Sequence, residues 1–241
     1  MGGRSRLWAL AAVLIAAGAA LEGTAVALHW RACAGGVLNG SILRGYRYES
    51  EFTAECLAAM DRAPMFALPQ PGAGLTLIGT LGAAAALLLA VAWLVAVPAL
   101  RLPLAVALAA ALPGLLGIGL VVNSVVTSFG PATVDDGLGR ALLVLVDVSV
   151  LLVLIVIAAA GVAGSLLARA AIVALAATST GLIHQIGEYA VAVVFSDANW
   201  DAPPGSGFFT VGMCLLAAVV TLLLWWRDEH AAPSPPARVA S

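Results

Sequence analysis

Four ionisable side chains lie inside stretches of the sequence that otherwise consist almost entirely of Ala, Leu, Val and Ile. They are Glu22, Asp147, His184 and Glu188. Placing one such group at the centre of a bilayer costs roughly 2.5 to 3.5 kcal/mol on insertion scales, so each needs a partner, water or a ligand. Carboxylates and imidazole can exchange protons or bind cations and metals. These residues are therefore the first candidates for function.

The most regular local pattern is Thr180, His184 and Glu188, spaced i, i+4 and i+8. On one continuous helix this spacing predicts a shared face. A carboxylate one turn from an imidazole can orient the ring, accept its proton or join it as a metal ligand. We expect Glu188 to be the most sensitive member, with Glu188→Gln losing activity and keeping the fold.

Helix rise places the polar residues at similar depths. At 1.5 Å per residue, Glu22 would lie about 12 Å and Glu188 about 10 Å below the outer ends of their spans. Asp147 would be about as deep. The sequence thus predicts one inward-facing polar pocket in the outer half of the membrane, used for binding or proton handling and formed by Glu22, Asn123, Asp147, Thr180, His184 and Glu188.

Two other roles for these residues stay open. The first is structural, in which they hold helices together through hydrogen bonds, for example between Glu188 and Asn123. The second is a zinc or copper site built from His184, Glu188 and one more carboxylate, either Glu22 or Asp147. The sequence offers no second intramembrane histidine and no paired thiolates for such a site. The cofactor and the metal are therefore unknown at this point.

Composition assigns the chain to the membrane proteins. Hydrophobic residues make up 62% of the 241 residues, charged residues only 10%, and the mean hydropathy is +1.05. These values exclude a soluble domain. Windows of about 20 apolar residues, the length that crosses a hydrocarbon core, predict six spans: about 7–30, 75–97, 102–126, 141–163, 170–195 and 208–226.

Helices are the expected form of these spans, because no alternating barrel pattern is present. We predict an all-α bundle that forms one transmembrane domain over residues 1–226, followed by a disordered cytoplasmic tail, residues 227–241. Arg4 and Arg6 before the first apolar run also fit a signal peptide. That run is longer than an ordinary signal and carries Glu22, which favours a retained helix.

The first loop, residues 31–74, is the only polar segment large enough to fold. It contains Cys33 and Cys56, and a disulfide between them would place the loop on the oxidising outer face. Two free thiols are the alternative. Thr53 to Met60 could form a short helix with Cys56 on its buried side. An N-terminus inside the cell puts six arginines on the cytoplasmic side and five outside, which favours cytoplasmic termini.

The function classes follow from what the sequence contains and lacks. HExxH, GxSxG, a phosphate-binding glycine loop and paired redox thiols are all absent. Transporter-like handling of protons or of a small cationic or polar solute, through an outward-facing pocket, is the favoured reading. A membrane enzyme with carboxylate and histidine acid–base groups, acting on a lipid or isoprenoid, stays open. So does a non-catalytic accessory subunit that docks through the first loop.

Partners and location follow from the same composition. The scattered arginines argue against nucleic acid, and the bilayer is the expected partner. Another membrane protein or a second copy of the chain is left open. All eleven basic residues other than histidine are Arg, in a sequence rich in Ala, Leu, Val and Gly. That bias favours a multi-pass protein of the plasma membrane of a high-GC bacterium.

Overall fold

The computed structural model describes residues 3–33, 51–61, 68–132, 136–159, 166–176, 178–179, 181–196 and 203–230. Within these ranges the chain is helical and contains no strand. A 3-10 turn, Trp30–Cys33, directly follows the first helix. The α-helices are α1 (Gly3–His29), α2 (Ala54–Met60), α3 (Leu77–Ala99), α4 (Leu104–Ser128), α5 (Gly137–Ala159), α6 (Leu166–Ala176), α7 (Leu182–Phe195) and α8 (Phe208–His230).

Five of these helices, α1, α3, α4, α5 and α8, are long and apolar enough to cross a membrane. Large apolar side chains remain exposed on them, among them Leu108, Leu112 and Leu115 of α4. In a soluble protein a continuous apolar stripe would be unfavourable, whereas in a bilayer it contacts lipid. The chain is therefore an all-helical membrane protein. Helix α8 runs to His230, four residues into the segment predicted as a tail.

The fifth predicted span, 170–195, is not one helix. Helix α6 has 11 residues and α7 has 14, so at 1.5 Å per residue they measure about 16 and 21 Å, each shorter than a hydrocarbon core of about 30 Å. Thr178 donates its hydroxyl to the Leu175 carbonyl oxygen (2.7 Å), and Gly181 has extended backbone angles. Hydroxyl side chains that compete for backbone groups, followed by glycine, favour such an interruption.

The centre of the bundle is built from small residues. Helix α1 packs against both α3 and α8, and the contacts include the fully buried Ala11, Ala92, Ala96 and Ala217. Small side chains allow helix backbones to approach closely, which is how membrane helices gain van der Waals contact without a hydrophobic driving force between them. The larger Trp8 and Ile15 fill the remaining space.

The bundle has two distinct ends. At the first, the amino-terminal end, Arg4 Nε donates to the Ala99 carbonyl oxygen (2.9 Å) and forms an ion pair with Asp228 (3.1 Å). The start of α1 and the ends of α3 and α8 therefore meet there. At the other end, Asn123 near the end of α4 donates to the Asp136 carboxylate (2.8 Å), just before α5 begins.

The second end is closed by the Cys33–Cys56 disulfide, which confirms the predicted pairing, and we call it the disulfide end. Helix α2 begins at a Thr53 cap, and its Cys56 is buried, as the sequence predicted. Trp30 is also buried and donates from Nε1 to the Ser206 carbonyl oxygen (2.8 Å). The disulfide-linked segment therefore rests directly on the loop that leads into α8.

Candidate functional site

Glu188 lies on α7 and is 1% exposed. Its carboxylate accepts four hydrogen bonds from the start of α8. Oε1 accepts from the N–H groups of Gly207 (2.7 Å) and Phe209 (3.2 Å), and Oε2 accepts from the N–H (2.7 Å) and the hydroxyl (2.7 Å) of Thr210. The first N–H groups of a helix have no partner within the helix and attract negative charge. Glu188 therefore caps α8 from a neighbouring helix.

The loop before α8 is shaped for this contact. Gly207 has a φ of +104°, a conformation that side chains rarely tolerate, and a Cβ there would come within 2.5 Å of Val26 Cγ2. Ser206 turns back to donate its hydroxyl to the Pro203 carbonyl oxygen (2.8 Å). Glycine at position 207 thus lets the loop approach α1 while its N–H points to Glu188. Glu188 of α7 therefore holds the start of α8 in place, and the loop before α8 packs against α1.

Asp147 is the second buried carboxylate, at 4% exposure. It is the eleventh residue of α5, about 15 Å along the helix from Gly137. Its carboxylate occupies the space that a Cβ at Gly181 would need. Gly181 caps the start of α7, so Asp147 lies at the interruption between α6 and α7. A carboxylate in this position meets the positive end of a short helix, which stabilises its negative charge.

A small cavity lies next to this interruption. Its volume is about 20 Å³, and its walls include Val146, which precedes Asp147, together with Thr178 and Ser179 from the interruption and Trp93 from α3. A cavity needs roughly 10 to 15 Å³ to hold one water molecule. The space is therefore sufficient for one water and too small for an organic solute.

Glu22 is buried in α1, at 1% exposure. The thiol of Cys214 on α8 lies close enough for electrostatic interaction with its carboxyl group. Cys214 follows Thr210 by four residues, so Glu22 lies about one helical turn, roughly 6 Å, deeper than the Glu188 cap. A separate cavity of about 220 Å³ borders Glu188 and is otherwise largely apolar, and neither Glu22 nor Asp147 lines it.

The three acids are thus all buried, at three positions along the bundle. Asn123 lies near the disulfide end and bonds to Asp136, which in turn accepts from the Gly139 N–H (2.9 Å) at the start of α5. His184 lies on α7, four residues before Glu188, but its side chain lies outside the described residues, as does all of Thr180. Helix α7 begins at Leu182, and the face that Thr180 would share with His184 and Glu188 stays a prediction.

No group of three or more His, Cys, Asp and Glu side chains is placed to hold a metal ion within the described ranges. The imidazole of His184, on which the zinc or copper hypothesis depends, is not among the described side chains.

No family model, curated protein or solved structure matches this chain. The sequence analysis did not identify Thr178 and Ser179 as part of the site, and it did not predict that Gly181 would interrupt the helix. Their signal is the run Thr178-Ser179-Thr180-Gly181, which places three hydroxyls and a glycine inside an apolar segment. Such a run favours a break in a helix, and the break is what brings Asp147 to a helix end.

Proposed function

We propose that this membrane protein conducts protons, or a small cation in their place, through Asp147 at the interruption between α6 and α7. The observation that supports the proposal best is the contact of the Asp147 carboxylate with the backbone at Gly181, about midway along α5. Buried acids inside membrane segments commonly mark ion or proton pathways. Discontinuous helices are the usual place for such sites.

Asp147 suits this role better than Glu188 does. All four acceptor positions of Glu188 are filled by donors at the start of α8. A proton on this carboxylate would point at one of these donors and break its hydrogen bond. Asp147 instead lies against Gly181, and the residues two and three positions before it, Ser179 and Thr178, carry hydroxyl groups, which can either donate or accept. The one-water cavity favours a proton over a larger solute.

The proposal includes a sixth crossing made by α6 and α7 together. Helix α5 begins at the disulfide end, beside Asn123, and its 23 residues carry the chain to the opposite end. Helix α8 begins again at the disulfide end, below Trp30 and Ser206. The chain between them must therefore return, and the α6–α7 pair supplies the length. We expect the disulfide end to lie outside the plasma membrane, because disulfides persist in oxidising surroundings.

Reconstitution into vesicles tests the proposal. Purified protein is placed in liposomes that contain a pH-sensitive dye, and proton entry is followed after a potassium diffusion potential is applied. We expect wild type to acidify the lumen and Asp147→Asn to reduce the rate to that of protein-free vesicles. Parallel measurements with sodium gradients show whether a cation replaces the proton.

Ser149→Ala is the matched control. Ser149 is buried on the same helix, two residues away, and donates only to the Val146 carbonyl oxygen (2.7 Å) among the described groups. Its removal should leave the flux unchanged. Equal flux in wild type and Asp147→Asn, with both proteins folded, would reject Asp147 as the conducting group. Absence of flux of either ion in wild type would reject the transport proposal itself.

A further inference from the structure

A large cavity lies at the disulfide end, away from Asp147. Its volume is about 770 Å³, it is open on one side, and it is lined by the end of α1, by α2 and by the segment that leads into α3. Cavities that bind small molecules usually measure about 300 to 1,000 Å³. This cavity is therefore of a size suited to a ligand, unlike the one-water space beside the interruption.

Two opposite charges face this cavity. Arg31 follows α1 and Glu55 lies on α2, and both are exposed members of the lining. Neither forms an ion pair with another residue in the part of the chain that the structure describes. The cavity therefore offers one guanidinium and one carboxylate that are available for a ligand carrying both signs of charge.

The segments that carry these two charges are held together. The His29 ring bonds through Nε2 to the Ala59 carbonyl oxygen (3.1 Å) and packs edge-on against Trp30, with ring centroids 4.7 Å apart. The disulfide joins the same two segments a few residues further on. Arg31 and Glu55 are thus carried on segments that are fixed relative to each other, which lowers the entropic cost of binding between them.

The start of α3 adds a further site for negative charge. Thr76 caps the helix by accepting from the Gly79 N–H (3.1 Å), and both residues line the cavity together with Ile78. The remaining first-turn N–H groups and the dipole of this 23-residue helix favour an anion. Both these N–H groups and the Arg31 guanidinium favour an anion in this cavity, whereas the Glu55 carboxylate favours a cation.

The rest of the lining is mainly apolar. Leu28 near the end of α1, Leu68, and Ile78 near the start of α3 all line the cavity. The ends of two spanning helices mark the edge of the bilayer, where a molecule can keep its head in water and its chain in lipid. A purely water-soluble zwitterion would leave these apolar groups without contact.

We propose that this cavity binds a zwitterionic phospholipid with a primary amine in its headgroup. The phosphate would contact Arg31 and the start of α3, because guanidinium and helix N-termini both bind phosphate well. The amine would contact Glu55, and an acyl chain would lie along Leu28, Leu68 and Ile78. Arg31 and Glu55 take no part in the proton site, so this proposal stands independently of it.

Binding of a fluorescent phosphatidylethanolamine to the purified protein in mixed micelles tests the proposal. Arg31→Ala and Glu55→Gln should each weaken this binding about ten-fold, the usual effect of losing one charge-assisted contact. Phosphatidylglycerol, which lacks the amine, should respond to Arg31→Ala and not to Glu55→Gln. Arg6→Ala and Glu229→Gln, exposed at the opposite end, are the matched controls and should bind as wild type does.

Two outcomes would overturn the proposal. Unchanged phosphatidylethanolamine binding in both cavity variants, with the disulfide intact, would show that the lipid lies elsewhere. Binding of soluble glycerophosphoethanolamine as tight as that of the lipid would show that the occupant is a free solute. Wild type that binds the lipid at least ten times more tightly than the soluble headgroup supports the lipid.

Discussion

At the scale of single residues, Glu188 and Asp147 show how a buried acid can be satisfied by a helix that begins beside it. Glu188 receives four hydrogen bonds from the first residues of α8 and the residue before them. Asp147 contacts the residue that precedes α7. The two differ in their surroundings, because donors fill every acceptor position of Glu188, whereas Asp147 lies against Gly181 at an interruption that borders a water-sized space. The first arrangement is structural, and the second is the one that we propose for proton conduction.

Glu188→Gln should therefore destabilise the protein. The amide keeps one oxygen, but its NH₂ group would face the Thr210 N–H, a donor against a donor, and leave that buried N–H unsatisfied. We expect the free energy of unfolding to fall by about 1 to 3 kcal/mol, measured by denaturant titration in detergent. Glu229→Gln, exposed near the end of α8, should change it by less than about 0.5 kcal/mol. Equal stability of the two variants would contradict the capping role and restore the expectation that Glu188→Gln keeps the fold.

At the scale of elements, the interruption between α6 and α7 is the feature that organises the candidate site. Two short helices replace one long one, so a helix end lies inside the bundle rather than at its surface. The interruption requires glycine at position 181, because the Asp147 carboxylate fills the space that a side chain there would need. Further along α7, Gly187 has no atom within 4 Å of an added Cβ. The two glycines therefore make a matched pair.

Gly181→Ala and Gly187→Ala should change stability in opposite directions. The added methyl at position 181 would displace the Asp147 carboxylate and lower the free energy of unfolding by about 1 to 3 kcal/mol. At position 187 alanine replaces glycine within a helix and should raise it by roughly 0.5 to 1 kcal/mol. Thermal unfolding of the two variants in one detergent checks both signs. A neutral Gly181→Ala would show that the carboxylate does not lie against this residue.

The sequence predicts the helices far better than it predicts this interruption. Apolar windows locate five spanning helices to within a few residues, because about 20 apolar residues must cross the bilayer. Two cysteines in one outer loop predict the disulfide correctly. Mean hydropathy does not detect an interruption within an apolar helix. Residues 170–195 therefore look like one span, although the helix is interrupted before Gly181. The partners of Glu188 begin 19 residues later in the chain, and no periodicity within α7 could reveal them.

At the scale of the whole molecule, the contacts form a bundle with unlike ends. The amino-terminal end is joined by the Arg4–Asp228 ion pair, and the disulfide end carries a folded segment over the start of α8. The proposed proton site lies between these ends, and the proposed lipid site lies at the disulfide end alone. Three contacts connect the lipid cavity with the proton site. Trp30 of the disulfide-linked segment donates to Ser206 in the loop before α8. Gly207 of this loop donates to Glu188, and Glu188 lies on α7, the helix that Gly181 precedes. Within the described residues this loop therefore connects the lipid cavity to α7.

The number of crossings is the prediction for the molecule as a whole. Cys33 and Cys56 are joined and Cys214 is buried, so the native protein should react poorly with an impermeant maleimide in intact cells. Cysteines introduced at three exposed positions then report sides. With six crossings, Ala132→Cys should label from outside, whereas Arg6→Cys and Glu229→Cys should label only after permeabilisation. Glu229→Cys labelling together with Ala132→Cys would mean that α6 and α7 do not cross, because only α5 and α8 would then separate the two sites. Labelling of Arg6→Cys and Glu229→Cys alone in intact cells would keep six crossings and reverse the orientation, which places the disulfide inside and contradicts the oxidising location that its persistence requires.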